Sequence, residues 1–213
     1  MLTLYTYWRS TTSYRVRIAL AMKGLDYTST SVNLVAGDQR EDAYTAINPV
    51  QGVPALQLED GRILTQSMAI LDYLDRRAPE PALLPQDDVD RARVLAASLV
   101  IATDIHPVNN LKVVNRLKAQ TDDPEASLDW MRHWMVEGFR AFDALIDPDT
   151  AFCFGDQPTL ADICLVPQLY NAHRWGLDLA PFPKVARIEQ HCLELPEIHR
   201  AHPDQQPEAQ EVS

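Results

Sequence analysis

Glycine is scarce in this chain, at seven residues in 213, and no two glycines stand close enough for a phosphate-wrapping loop. A nucleotide-binding fold of the Gly-rich kind is therefore disfavoured. Cysteine is scarcer still. Cys153, Cys164 and Cys192 are odd in number and lack a Cys-x-x-Cys spacing. That argues against a disulfide scaffold or a zinc site and suits a reducing compartment. All three read as buried, inert thiols, and no metal site is expected. No apolar run approaches the length of a membrane span, and the Met1 end has no basic-then-apolar leader pattern. The expected location is cytoplasmic, away from membranes. Basic residues are outnumbered 19 to 30, for a formal charge of −11. Nucleic acid and anionic membranes drop out as partners, because phosphate contacts need clustered Lys and Arg.

What remains is enough for a core, with 46% hydrophobic residues. The first 77 residues read as mixed α/β. Leu2–Tyr7 is an apolar first strand. A helix follows from about Ser13 to Lys23, with Tyr14, Ile18 and Met22 on one face and Gly24 as its stop. Residues 27–34 alternate as a second strand, and a short helix falls near 41–47. Residues 54–59 and 62–65 flank Asp60-Gly61, a two-residue hairpin turn. Ser67 then caps a helix carrying Ile70, Leu71 and Leu74. The order β-α-β-(α)-β-β-α is that of a thioredoxin-like domain.

Residues 78–87 carry three prolines and form a linker. Beyond it the pattern is all-helical. One helix runs from Asp90 to about Ile105, and Pro107 bends or interrupts it. Others cover 109–118, 124–146 and 183–193. Thr159-Leu160-Ala161-Asp162 is a capping box that opens a helix towards Trp175, with Pro167 inside it. From His202 the chain is polar and reads as loose. The expected domains are 1–82 and 88–213.

The most informative stretch is Arg9-Ser10-Thr11-Thr12-Ser13, between the first strand and the first helix. One helix cap needs one hydroxyl. Four hydroxyls beside an arginine point to an anion site, where free N–H groups and the helix dipole favour negative charge. Val53-Pro54 precedes a strand. Read from the residues alone it is a strand-initiating proline, although a cis bond there would present the Val53 backbone to a peptide ligand. Gln66-Ser67 is an ordinary cap or a carboxylate site. Arg174, beside His173 and Trp175, sits at a helix C-terminus, where the dipole alone favours it. Trp130, His133 and Trp134 are at helical spacing and read as packing residues.

Ser10-Thr11-Thr12 followed by Tyr14-Arg15-Val16-Arg17-Ile18-Ala19-Leu20 resembles the fingerprint of zeta-class glutathione transferases. Asn48-Pro49, Val53-Pro54-Ala55-Leu56, Gln66-Ser67-Met68-Ala69-Ile70, and Gly155-Asp156 through Leu165-Val166-Pro167-Gln168 match the same family. The resemblance runs from Leu2 to about Pro207. That family includes maleylacetoacetate isomerases and maleylpyruvate isomerases. Its serine-rich trio often ends in cysteine, and here Thr12 stands there.

The resemblance implies a glutathione transferase fold, with a thioredoxin-like N-terminal domain and an all-helical C-terminal domain. It implies glutathione as cofactor, a dicarboxylate substrate and a homodimer. The expected reaction is cis–trans isomerisation of maleylacetoacetate to fumarylacetoacetate. A thiolate adds to the cis double bond, and rotation about the resulting single bond precedes its loss. Ser10 is the first choice to hydrogen-bond the thiolate, with Thr11 and Thr12 as rivals. Gln39, Val53, Gln66, Ser67, His106 and Asn110 are implied as glutathione contacts. Arg9, Asn109 and Arg174 are implied at the substrate, with Arg9 also facing developing enolate charge.

Three other readings stand beside this one. Maleylpyruvate isomerisation shares the mechanism, but that branch carries adjacent arginines where this chain has Leu111-Lys112. A general transferase or dehalogenase is another. A non-catalytic binding module would be expected to lose the hydroxyl cluster or Ser67, and neither is lost.

Overall fold

Alternating burial along Leu2–Thr6 makes β1, with Leu2, Leu4 and Thr6 inward. In the computed structural model, which describes residues 1–210, β1 lies parallel to β2 (Tyr27–Ser31) and antiparallel to β3 (Ala55–Gln57). β4 (Ile63–Thr65) pairs antiparallel with β3, so the sheet order is β2-β1-β3-β4. α1 (Thr11–Met22) makes the crossover between the two parallel strands. It begins two residues before the predicted Ser13, because Ser10 takes the cap and accepts a hydrogen bond from Ser13 N–H. It is also buried on more than the one predicted face. Thr11 and every residue from Ser13 to Leu20 are inside, packed against α3 (Ser67–Arg77) and a C-terminal helix.

The β3–β4 connection is longer than predicted. Leu58 N–H donates to Arg62 O and Gly61 N–H to Leu58 O, leaving a three-residue loop, Glu59-Asp60-Gly61. Gly61 closes it at φ 85°, a left-handed conformation that glycine adopts without steric cost. The predicted helix near 41–47 shrinks to α2 (Asp42–Thr45), after a 3₁₀ turn at Asp38–Arg40.

The chain divides into two compact units, and the division differs from the expected one. The first joins Met1–Ala82 to the segment from Glu194 onward; the second is Leu83–Leu193. The stretch from His202, which reads as loose, forms a 3₁₀ turn (Pro203–Gln205) and α10 (Pro207–Gln210), and ahead of it stands α9 (Pro196–Ala201). That helix is held to α1 by polar contacts. Arg17 Nε donates to Ala201 O at 2.9 Å and Tyr14 OH to Ile198 O at 3.4 Å. Gln206 Nε2 closes the last turn on Arg200 O and His202 O. The rest of the predicted loose tail, 211–213, lies outside the described residues.

The second unit is all-helical. α4 (Asp88–Leu99) is capped by Asp87, which accepts from the N–H groups of Val89 and Asp90. The α-helix does not continue to Ile105. From Val100 to Ile105 the backbone widens into a π-helical turn, closed by His106 N–H on Ile101 O at 3.1 Å. α5 (Leu111–Lys118), α6 (Ala126–Leu145), α7 (Leu160–Arg174) and α8 (Pro183–Leu193) follow. The predicted capping box is present. Thr159 N–H donates to Asp162, whose carboxylate also takes the Thr159 hydroxyl and Cys153 N–H. α7 is buried along most of its length, from Leu160 to Leu169, with Pro167 inside the helix. No helix of the described residues is long and apolar enough to cross a membrane.

Candidate active site

Ser10 stands at the head of α1, half-exposed, with extended backbone at φ −70° and ψ 120°. Its Oγ lies 2.9 Å from Thr12 Oγ1, and Thr12 donates to Val53 O at 2.8 Å. Thr11 is buried at 7% exposure, so of the three candidate hydroxyls it is the least accessible. Arg9 is exposed, its guanidinium 4.1 Å above the Trp8 ring. Behind this turn lies Arg17, 1% exposed. Besides Ala201 O, it donates to Thr6 Oγ1 at 3.2 Å and Trp8 O at 3.0 Å, which ties the end of β1 to α1.

The Val53–Pro54 bond is cis. The preceding carbonyl, Gly52 O, receives Tyr44 OH at 2.6 Å and Asn48 Nδ2 at 2.7 Å. Burial pushes the Tyr44 hydroxyl up to about 12, so it stays protonated and donating. Two consecutive carbonyls of this loop are thus fixed by side chains, Gly52 O by α2 and its following turn, Val53 O by α1. Gln39 is buried in the 3₁₀ turn, with Nε2 towards Leu34 O at 3.5 Å. Its Oε1 is buried without a hydrogen-bond partner among the described residues, an acceptor suited to a ligand N–H.

Ser67 is the first residue of α3 and not its cap. Gln66 holds the cap position at φ 69° and ψ 117°, a left-handed backbone that non-glycine residues rarely adopt. That turn presents the N–H groups of the first helical turn at an exposed edge. Ser67 itself is buried, and Arg15 Nη1 lies 3.4 Å from its Oγ. Arg15 is 1% exposed, so a full positive charge sits inside the unit next to the helix N-terminus. A buried cation, a hydroxyl and a helix dipole together suit a carboxylate.

The remaining candidates belong to the second unit. His106, Asn109 and Asn110 are half-exposed and follow the π-helical turn. Asn110 caps α5, its Oδ1 accepting from Lys112 N–H at 3.1 Å. Asn109 Nδ2 donates to Met131 O at 3.2 Å, and its Oδ1 is buried with no partner among the described residues. Trp130 is less buried than a core residue, and its Nε1 donates to Val108 O at 2.9 Å. It therefore holds this loop as well as stacking edge-on with Trp134. Arg174 is exposed in the last turn of α7, between the rings of Tyr170 at 5.8 Å and Trp175 at 5.4 Å.

The protein's own sulfur is remote from nucleophilic use. Cys153, Cys164 and Cys192 are all buried, and none of the three is in a disulfide. Burial, with Asp162 nearby, pushes the Cys153 and Cys192 thiols well up, so they stay protonated. No group of His, Cys, Asp or Glu among the described residues is placed to hold a metal ion.

Sequence reasoning missed Arg15 and Arg17 as parts of this arrangement, and treated Gln66 and Ser67 one position out of place. The signal for the arginines was a helix with no charged face, so that Arg15 and Arg17 had no solvent side to occupy.

A four-stranded thioredoxin-type sheet with a cis-proline strand entry, joined to an all-helical unit, is the architecture of a glutathione transferase. The model of the glutathione S-transferase N-terminal domain matches residues 1–76, and that of the C-terminal domain matches residues 127–190. The chain belongs to the zeta-class glutathione transferases. It is 48% identical to the maleylacetoacetate isomerase of Pseudomonas aeruginosa over 96% of this chain and 97% of that one. The solved holo structure of a bacterial zeta-class maleyl pyruvate isomerase superposes with a TM-score of 0.93 at 42% identity, covering 96% of this chain and 98% of that one. The maleylacetoacetate isomerase of Anaeromyxobacter dehalogenans, solved with dicarboxyethyl glutathione and citrate in its active site, superposes with a TM-score of 0.89 at 45% identity, covering 98% and 97% of the two chains.

Proposed function

We propose that this protein is a glutathione-dependent isomerase that converts maleylacetoacetate to fumarylacetoacetate. The observation that carries the reading is the Ser10–Thr12 hydroxyl pair at the head of α1, bonded to the Val53 backbone, in a chain whose cysteines are all buried. Such a site stabilises a sulfur anion that the protein does not itself possess. When bound, glutathione supplies a thiolate that adds to the cis double bond and leaves after rotation to the trans form.

Each residue then has a task. The Ser10 hydroxyl donates a hydrogen bond to the sulfur anion while keeping its proton, and the N–H groups of the first turn of α1 add positive potential, which lowers the pH at which the thiol ionises. Ser67, backed by Arg15, takes the γ-glutamyl carboxylate with Gln66 beside it. The Val53 backbone pairs with the cysteinyl unit as an added strand. Gln39, His106 and Asn110 complete the glutathione contacts. Arg9 and Arg174 bind the substrate carboxylates, and Arg9 stabilises negative charge developing on the carbonyl oxygen. Asn109 is assigned to the substrate. A homodimer and a cytoplasmic location belong to the same proposal.

Maleylpyruvate is the second reading, supported by the 42% identity to a maleyl pyruvate isomerase. Leu111-Lys112 after the double asparagine weighs against it. The test is turnover of the two substrates side by side at saturating glutathione. A higher kcat/KM for maleylacetoacetate supports the proposal; a clear preference for maleylpyruvate overturns the substrate assignment.

A further inference from the structure

The hydroxyl chain at the head of α1 has a direction. A carbonyl oxygen only accepts, so the single Thr12 hydroxyl proton goes to Val53 O. The 2.9 Å contact between Ser10 and Thr12 must then carry the Ser10 proton. Ser10 Oγ in turn accepts from Ser13 N–H at 3.2 Å. The order is Ser13 N–H to Ser10, Ser10 O–H to Thr12, Thr12 O–H to the Val53 carbonyl. Two of the rival hydroxyls are thereby separated by role. Thr12 cannot turn its proton to a thiolate without releasing Val53. Ser10 can, because its oxygen stays anchored by Ser13 N–H while its O–H swings.

We propose that Thr12 is a positioning residue, which fixes the Val53 carbonyl for glutathione and holds the Ser10 proton until a thiolate draws it away. This rests on the glutathione reading above. Thr12 occupies one lone pair of Val53 O and leaves the second for a ligand N–H. Gly52 O, one residue earlier, is already held by Tyr44 and Asn48. With Thr12 the binding edge is set before the ligand arrives, so less backbone ordering has to accompany binding. The same bond explains why a hydroxyl here acts differently from Ser10. Its loss weakens the grip on the peptide part of the ligand but frees the Ser10 proton from a competing acceptor.

The test compares wild type with Thr12→Val, Thr12→Ala and Thr12→Ser. Calorimetry gives glutathione affinity, and ultraviolet thiolate absorbance of the complex against pH gives the ionisation of the bound thiol. Amide hydrogen exchange in the free proteins reads the Gly52–Val53 segment without any ligand. Thr12→Val and Thr12→Ala should bind glutathione roughly three- to tenfold more weakly, the size of one lost hydrogen bond. The bound thiol should ionise at the same pH or lower, and exchange at Gly52–Val53 should quicken. Thr12→Ser should restore all three. Unchanged affinity and exchange in both hydroxyl-free variants, a thiol that ionises at higher pH in them, or a Thr12→Ser variant as weak as Thr12→Val would each overturn the proposal. If wild type fails to bind glutathione, the functional reading falls with it. If wild type binds and the variants match it, only the role of Thr12 falls.

Discussion

Gly138 and Ile105 meet at a distance that admits no side chain between them. A methyl group built on the Gly138 Cα would stand 2.1 Å from Ile105 Cγ1 and 2.3 Å from Cδ1. Ile105 is fully buried and ends the π-helical turn. The backbone of α6 therefore meets the Ile105 side chain here, and elsewhere along α6 Trp130 Nε1 donates to Val108 O while Met131 O accepts from Asn109 Nδ2. One face of α6 sets the course of residues 105–110.

Gly138→Ala should consequently cost about 1–3 kcal/mol through overpacking, with no relief from helix propensity large enough to offset it. Denaturant unfolding measures this. Combined with Ile105→Ala, the loss should fall well short of the sum of the two single losses, because each change makes room for the other. Strict additivity would mean that the two residues do not share the contact.

Arg17→Met should cost on the order of 3 kcal/mol, since it strips a buried charged donor from Ala201 O, Thr6 Oγ1 and Trp8 O. Hydrogen exchange should show the loss first in 196–201. Arg17→Lys should rescue little, because one ammonium cannot span acceptors that a planar fork reaches from both sides.

Arg174→Ala should lower kcat/KM for maleylacetoacetate by roughly 10- to 100-fold, as for one lost charge-assisted contact. Glutathione affinity by calorimetry should hardly change. An equal loss with a neutral electrophile would show that Arg174 supports the fold or the thiolate instead of the dicarboxylate.

His202 makes the C-terminal segment sensitive to acid. Burial lowers its pKa below the ordinary 6.5, with His199 and Arg17 acting the same way and Asp204 opposing them. Its ring meets Tyr14 edge-on at 5.8 Å, and its Nδ1 accepts from Asp204 N–H at 3.2 Å. Folding thus favours neutral His202. The stability it contributes is complete above the unfolded value and is lost as pH falls through the lower folded one. Exchange protection of 196–206 should decline below about pH 6.5, and His202→Gln should flatten that decline.

Local patterns were legible in the sequence, and relations across the chain were not. The hydroxyl run at Ser10–Ser13, the place though not the length of the turn at Asp60-Gly61, and the Thr159–Asp162 box each act within a few residues, so spacing reveals them. Helix α1 hid two buried arginines because a helix enclosed on most sides has no amphipathic period to read. The loose look of the chain after Ala201 came from its polarity; Gln206 spends its amide on Arg200 O and His202 O, and the His202 ring meets Tyr14 of α1. Asp90–Ile105 kept one helical period in sequence, while Ile105 against Gly138 accompanies a wider turn in space. Thr12 and Val53 are 41 residues apart, and nothing local to either announces the other.

Glutathione, and not the protein, supplies the reacting sulfur in the proposed reaction. Conversion of maleylacetoacetate should be followed with glutathione, with S-methylglutathione, and with no added thiol. Turnover should occur only with glutathione, and the S-methyl compound, which fills the same contacts without a free thiol, should inhibit it competitively. Turnover of comparable rate without any added thiol would contradict the proposal.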